Sequence, residues 1–543
     1  MKESDPRPVP RTRGLGLYAA LLCVAVLAAC GGGGGGSGAG SPSNVTLSVT
    51  VSGGGSVTSL PAGIDCGTNC SATFSGGTDV TLTAAPAVGR IFVGWGGACT
   101  GSTNACVVPM DSAKSASATF AALPATGWGP SFLVSADGTA QARVAIDAVG
   151  NATAIWLQMD TGLSRRSVWA SRRPVGGNWS APVAIDSSDN DIVDLALAVE
   201  PTGGRAMATW WELVGGIATE VRARPASAEG TWGTTSLVSL PGRNAGNLSV
   251  AMDATGNAFV VWTQTATNNT LSSVWSNRYT ASGGWAGAVR VANDGAQDLD
   301  PWLAVSGSGQ AFVVWSRVTG GGIWASRSDA NGSWGTPLQL ASGSVNVGVA
   351  SPRVAAGPNG NAVAVWAQAT TSGGQIATQL VSKRWSSGAW SATAAPLYAP
   401  VVTNALSEVR LAVNAQGRAA AVWGLPDGGV RAAQSDSAGT WGTASTVRAA
   451  GTELRGVPDI GIDGQGDMFV IFGARHVTSG IDEVWLNRYT AGAWGNAALH
   501  QQSSDAAGAP RLAMNDRGNA VAAWIRNGSD GSRVVGRSFS SGR

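Results

Sequence analysis

The chain has 543 residues, too many for a single core, because one hydrophobic core stops growing at roughly 250–300 residues. Glycine is abundant, 77 of 543 or about 14%, yet 44% hydrophobic residues and 23 Trp exclude a disordered chain. The 35 basic residues against 33 acidic ones, with lysine only at positions 2, 114 and 383, give no field that would steer nucleic acid.

Residues 1–29 read as an export address. Lys2, Arg7, Arg11 and Arg13 precede an apolar run from Leu15 to Ala29, too short to span a bilayer as a helix and of the length of a secretory core. The run ends in Leu27-Ala28-Ala29-Cys30, which resembles the bacterial lipobox. That resemblance implies acylation of Cys30 and a membrane anchor. Gly31 follows instead of an Asp, which implies the outer membrane in a Gram-negative host. Removing 1–29 takes away four bases and two acids, leaving 31 of each, so anchoring would rest on the acyl chains. Residues 30–43, rich in Gly and Ser, form a tether.

The next segment, residues 44–122, holds Cys66, Cys70, Cys99 and Cys106. An even set in an exported chain reads as a disulfide framework. Of three possible pairings, the short loops favour Cys66–Cys70 and Cys99–Cys106. Zinc is disfavoured: C-x3-C and C-x6-C do not fit common zinc knuckles and no His lies nearby. Period-two runs at residues 45–51 and 79–83 read as half-buried strands. The succession Gly55-Ser56-Val57, Pro61-Ala62-Gly63-Ile64-Asp65-Cys66, Cys70-Ser71-Ala72-Thr73-Phe74, Phe92-Val93-Gly94-Trp95 and Ser117-Ala118-Thr119-Phe120 resembles the divergent internalin-type B-repeat of bacterial surface proteins. That resemblance implies a β-grasp-like spacer or adhesive module; Trp95, glycine-flanked behind a strand, reads as a core plug in preference to a ligand platform.

Residues 124–543 contain one unit written eight times, with a period near 52. A glycine stands six residues before an aromatic in each copy: Gly150/Trp156, Gly204/Trp210, Gly256/Trp262, Gly309/Trp315, Gly360/Trp366, Gly417/Trp423, Gly466/Phe472 and Gly518/Trp524. Upstream of each lies a small residue: Ala145, Ala198, Ala251, Ala304, Ala355, Ala412, Gly461 or Ala513. A second Trp marks each copy at 128, 179, 232, 285, 334, 390, 441 and 494. Each unit reads as a four-stranded sheet, its first turn made by the glycine and its small residue at the crowded centre of a ring. The first copy of the second Trp, Trp128, has no third strand before it, and the last copy stops after its third strand. The deficit at one end matches the surplus at the other. The expected fold is therefore all-β: the stapled module, then an eight-bladed β-propeller closed by its N-terminal strand. An open array would need polar caps, which the sequence lacks.

More loosely, the repeats resemble bacterial neuraminidase-type repeats and sialidase-like propellers, through partial Asp-boxes at residues 328–334 and 435–441. Such a site would need an activated Tyr, an acid Asp and an Arg clamp. Tyr279 and Tyr489 share one repeat slot and so read as scaffold; Arg172, Arg278, Arg327, Arg384, Arg488 and Arg537 share another. His476 and His500, the only histidines, fall on expected loops. No catalytic residue, cofactor or metal site is expected. Loops that differ between copies are the remaining place for function, and they nominate Asp189, Asp191, Asp298 and Asp300 as loop-face binding residues. Their acidic loops lack the fixed spacing of a calcium loop. The expectation is a monomeric, non-catalytic surface lipoprotein displaying a propeller to a glycan or protein. The alternative is a glycoside hydrolase or lyase using those carboxylates.

Overall fold

A computed structural model describes residues 43–542, apart from 88–89, 101–104, 123–126, 130, 136–137, 161, 163, 187, 217, 266–270, 293–294, 319, 344–351, 373–374, 402–405, 407, 452, 476–481, 504–506 and 529–530. The signal segment, Cys30 and the tether lie outside the described residues. Every regular element described is a β-strand, as alternating apolar patterns broken by Gly-containing turns require.

Residues 44–122 form two four-stranded sheets. Strand Asn44–Ser52 runs parallel to Lys114–Ala122 at the middle of the first sheet. Gly55–Leu60 and Asp79–Pro86 are the middle pair of the second. Alternation puts Leu47 and Val49 from one sheet and Val57, Val80 and Leu82 from the other into a single core. Trp95 is buried in it, edge-to-face with Phe92. The disulfides are Cys66–Cys70 and Cys99–Cys106.

The remaining sheets are eight blades, each antiparallel. Blade 1 is Thr139–Ile146, Ala152–Asp160, Arg165–Arg173 and Val183–Ala184, from the inside outward. The inner strands of blades 2 to 8 are Asp191–Val199, Ala245–Met252, Asp298–Val305, Arg353–Ala356, Arg410–Val413, Glu453–Ile462 and Ala507–Met514. Each packs against the next, and the last against the first, so the ring is closed. The small residue of the inner strand has a steric cause: a Cβ on Gly461 would come within 2.5 Å of the Met514 Cβ in the neighbouring blade.

Closure is made by the N-terminal segment. Phe132–Leu133 pairs with Gly536 and Val535, and Gly127–Trp128 pairs with Ser540 and Phe539, supplying the outer strands of blade 8. Trp128 lies against Phe469, His500 and Phe539, so it belongs to the seam between blades 7 and 8. The repeat aromatic lies within the second strand, which runs on past it, and is fully enclosed: Trp156, Trp262, Trp315, Trp423 and Phe472 are 0% exposed.

Two details depart from the sequence expectation. The outer strand begins at the second Trp in blades 3, 5, 7 and 8, where Gly284–Trp285, Ala389–Trp390, Ala493–Trp494 and Gly127–Trp128 pair with the third strand. It does not in blade 4, where Trp334 makes a single bridge to Ser328 and the strand forms later, at Leu338–Ala341. The Trp is turned onto the preceding blade instead, donating its Nε1–H to Ser276 Oγ at 2.6 Å. His500 sits on a strand, Ala498–Ser503, not a loop. His476 lies outside the described residues.

The third-strand arginines hold neighbouring blades together. Arg278 donates to the Ala330 and Asn331 carbonyls of the next blade, and Arg384 to Ser437 O at 2.7 Å.

Candidate functional site at the channel mouth

The two ends of the central channel differ. At one end each inner strand turns back at the repeat glycine, and all eight of these glycines have positive φ, from 74° at Gly204 to 113° at Gly150. In five blades the residue two after the small one caps the turn with its side chain: in blade 1 Asp147 Oδ1 accepts from the amides of Gly150 and Asn151, both at 2.8 Å. Asp253, Asn414, Asp463 and Asn515 cap their turns the same way. These turns are tied to each other. Asn515 donates to Asp147 O and Asn414 to Asp463 O, each at 2.8 Å, and Thr202 to Ala254 O at 2.7 Å.

At the other end, where the inner strands begin, a cavity of about 500 Å³ opens. Its wall is built from one position of each repeat, two residues before the small one: Arg143, Ala196, Ser249, Trp302, Arg353, Arg410, Asp459 and Arg511, in ring order. In six blades the ladder slips just there, for example between Ile192 and Asp194 and between Leu299 and Trp302. Such bulges bend the strand and re-aim the side chains that follow. Asn247 and Asp300, both lining the cavity, have φ of 51° and 50°, a conformation that costs a non-glycine residue energy and concentrates at functional positions.

Four guanidiniums thus meet at this mouth. Arg143, Arg353 and Arg511 each fold back to donate to the carbonyl of the preceding residue, at 3.0, 2.8 and 3.2 Å. Arg143 pairs with Asp194 at 3.2 Å; Glu408 pairs with Arg353 and, at 3.7 Å, with Arg410. The Trp302 ring lies 4.1 Å from the Arg353 guanidinium carbon and 5.3 Å from that of Arg410. Asp459 accepts from the Ile460 and Leu512 amides at 3.1 and 2.9 Å. Arg353 is the most enclosed, its side chain 7% exposed, and the Nε atoms of Arg353 and Arg410 are buried without a hydrogen-bond partner.

Electrostatics record the crowding. Burial, with repulsion from Arg511, pulls the Arg143 guanidinium down to about 10, and burial with repulsion from Arg410 pulls Arg353 down to about 9. Arg410 is lowered by burial, and Arg511 by burial and then by Arg410. All four remain cations at neutral pH.

Of the nominated acidic residues, only Asp300 lines this cavity, and it is exposed. Asp191 is bound by Arg166 through Nη2 at 2.5 Å and Nε at 3.1 Å, which holds its carboxyl below the usual range. Asp298 is fully buried, accepting from Trp315 Nε1 at 2.9 Å and Arg317 Nε at 2.8 Å. Asp189 is exposed and lines none of the cavities described. Sequence reasoning weighed the third-strand arginines and passed over the inner-strand ones. The available signal was a channel-facing slot filled by Arg in four copies and by unlike residues in the other four.

A family model for the divergent InlB B-repeat domain matches residues 45–124. No curated protein sequence matches the chain. Among solved structures, the polysaccharide lyase Uly1 is similar at 10% identity and a TM-score of 0.39, over 75% of this chain and 90% of that one. A mutant of NanB sialidase from Streptococcus pneumoniae is similar at 9% identity and 0.34, over 87% and 86%. The β-propeller domain of the trilobed protease from Pyrococcus furiosus, described as having an open velcro topology, is similar at 8% identity and 0.38, over 68% and 96%. The segment at 45–124 is therefore similar to the divergent InlB B-repeat domain.

Proposed function

We propose that this is an envelope lipoprotein, acylated at Cys30 and monomeric, whose propeller is a non-catalytic binding platform for a glycan or protein ligand taken at the channel mouth. The observation that supports it is the asymmetry of the inner strands: one end repeats the same positive-φ glycine turn, capped by an Asp or Asn side chain in five blades, while the other carries eight positions that have diverged into a charged cavity. Repeated positions build blades; diverged ones on a rigid frame carry recognition. The tether and the module at 44–122 would hold this cavity away from the membrane.

One feature favours the alternative, a hydrolase or lyase: Asp300 is an exposed carboxylate on strained backbone at the mouth. The two are separated by incubating full-length protein in detergent with arrayed envelope and extracellular glycans, scoring both retention and product. Retention lost in Arg353→Ala/Arg410→Ala, with no product, is expected. Product that disappears in Asp300→Asn would replace the binding reading with the enzymatic one. Incorporation of labelled palmitate, lost in Cys30→Ser, tests the anchor.

A further inference from the structure

We propose that the channel mouth recognises a ligand carrying one compact oxyanion on a hydroxyl-rich, otherwise uncharged body, the anion seated among Arg353, Arg410 and Arg511 and the hydroxyls facing a rim of carboxylates. The inference rests on the binding reading above and specifies its ligand chemistry.

The charges of the mouth fall in two layers. Four residues that line the cavity stand two positions before a channel-facing one, toward the strand starts. The deeper layer holds Arg143, Arg353, Arg410 and Arg511 against a single carboxylate, Asp459. One step nearer the strand starts stand Asp194, Asn247, Asp300 and Glu408. Exposure separates the extremes: Asn247 and Asp300 are exposed and the Arg353 side chain is 7% exposed, with Asp194 at 35%, Glu408 and Arg143 at 26% and Arg410 at 15% between them.

Each layer then has a distinct capacity. Asp459 already takes two backbone amides, and Glu408 is shared between two arginines. No acid is hydrogen-bonded or ion-paired to Arg511 among the described residues. The buried Nε atoms of Arg353 and Arg410 have donor capacity to spare. A carboxylate, sulfate or phosphate group offers the in-plane acceptors that guanidinium forks match. Seating it would offset the repulsion that adds to burial in lowering Arg143, Arg353 and Arg511. The rim selects in the opposite sense: carboxylates accept from hydroxyls but repel further anions, which disfavours a polyanion at the same cavity. At about 500 Å³ the cavity has the size of an ordinary small-molecule site.

The test is calorimetric titration of full-length protein in detergent at low salt with glucuronate, glucose 6-sulfate, glucose 6-phosphate, glucose and heparin. Saturable binding of at least one of the three monoanions, with glucose and heparin at least tenfold weaker, is expected, and the ranking of the three distinguishes planar from tetrahedral anions. Arg410→Gln and Arg511→Gln should each weaken that binding at least tenfold with the melting temperature kept. Asp300→Asn, at an exposed site, should leave folding intact and strengthen heparin binding at least threefold. Preference for glucose or heparin, lost in the arginine variants, would overturn the oxyanion assignment while the mouth remains the binding site. Binding of any ligand that survives both arginine substitutions would overturn the mouth reading itself, and an Asp300→Asn variant indifferent to heparin would overturn the selective role of the rim.

Discussion

The two ends of the propeller's channel are made by the same eight strands, yet they have opposite chemistry. At the turn end of blade 1 a buried carboxylate is fully engaged: Asp147, 1% exposed, accepts from three backbone amides and from the Asn151 side chain, and neighbouring turns are linked across the ring. At the mouth, four arginines crowd together and two of their Nε atoms are buried with no partner. The turn end is arranged for stability and the mouth carries charge at a cost to it. Active and binding sites commonly show that cost, because groups held for a ligand are not optimally solvated without one.

The largest expected effect breaks the ring on which both ends depend. Deleting residues 44–123 should leave a closed propeller, whereas deleting 44–135 removes the strands that pair with Val535, Gly536, Phe539 and Ser540. The second truncation loses the Trp128 and Phe132 contacts, each worth about 1.5–3 kcal/mol, and exposes a strand edge prone to aggregation. Equal solubility and equal melts for the two would show that the chain does not close in this way.

At the turn end, Asp147→Ala should destabilise by about 3 kcal/mol, because it strands buried amide donors. Urea unfolding measures it. A change below about 0.5 kcal/mol would mean that the caps are incidental.

The closing seam should respond to acid. His500 Nδ1 accepts from Arg537 Nη1 at 3.0 Å and the ring packs edge-on against Trp128, and burial, then Arg537, holds its pKa down to about 4. The unfolded chain binds a proton at His500 below about pH 6.5, while the folded one does not until about 4. Stability from this group is therefore full above pH 6.5 and falls as pH drops toward 4, by on the order of 2 kcal/mol once its partial exposure is allowed for. In His500→Gln that part of the pH dependence of the melting temperature should vanish.

The smallest effect has the opposite sign. Arg511→Met should raise the stability of the unliganded protein by about 1 kcal/mol, since an apolar side chain replaces a poorly solvated charge. A destabilisation instead would show that the mouth arginines are structural, and the contrast between the two ends would fail.

The sequence by itself determined the frame. Eight copies of Gly-x5-aromatic, a small residue upstream, and a second Trp that comes early at one end and is missing at the other were enough to specify eight sheets, their turns and the closing strand, because each feature answers a local steric demand. Positive φ at the turn and the lack of room for a Cβ at Gly461, which would come within 2.5 Å of the Met514 Cβ in the ring centre, are such demands. The two short disulfides were legible for the same reason, as small loops restrict their partners. The mouth was not legible. Arg143, Arg353, Arg410 and Arg511 are separated by up to 368 residues in the chain and become neighbours only when the ring closes. Charge alone could not separate Asp300, which faces the cavity, from Asp298, which two residues earlier is buried against Trp315 and Arg317. The ladder slips between Leu299 and Trp302, and that slip, set by pairing with the second strand, decides which side chains reach the channel.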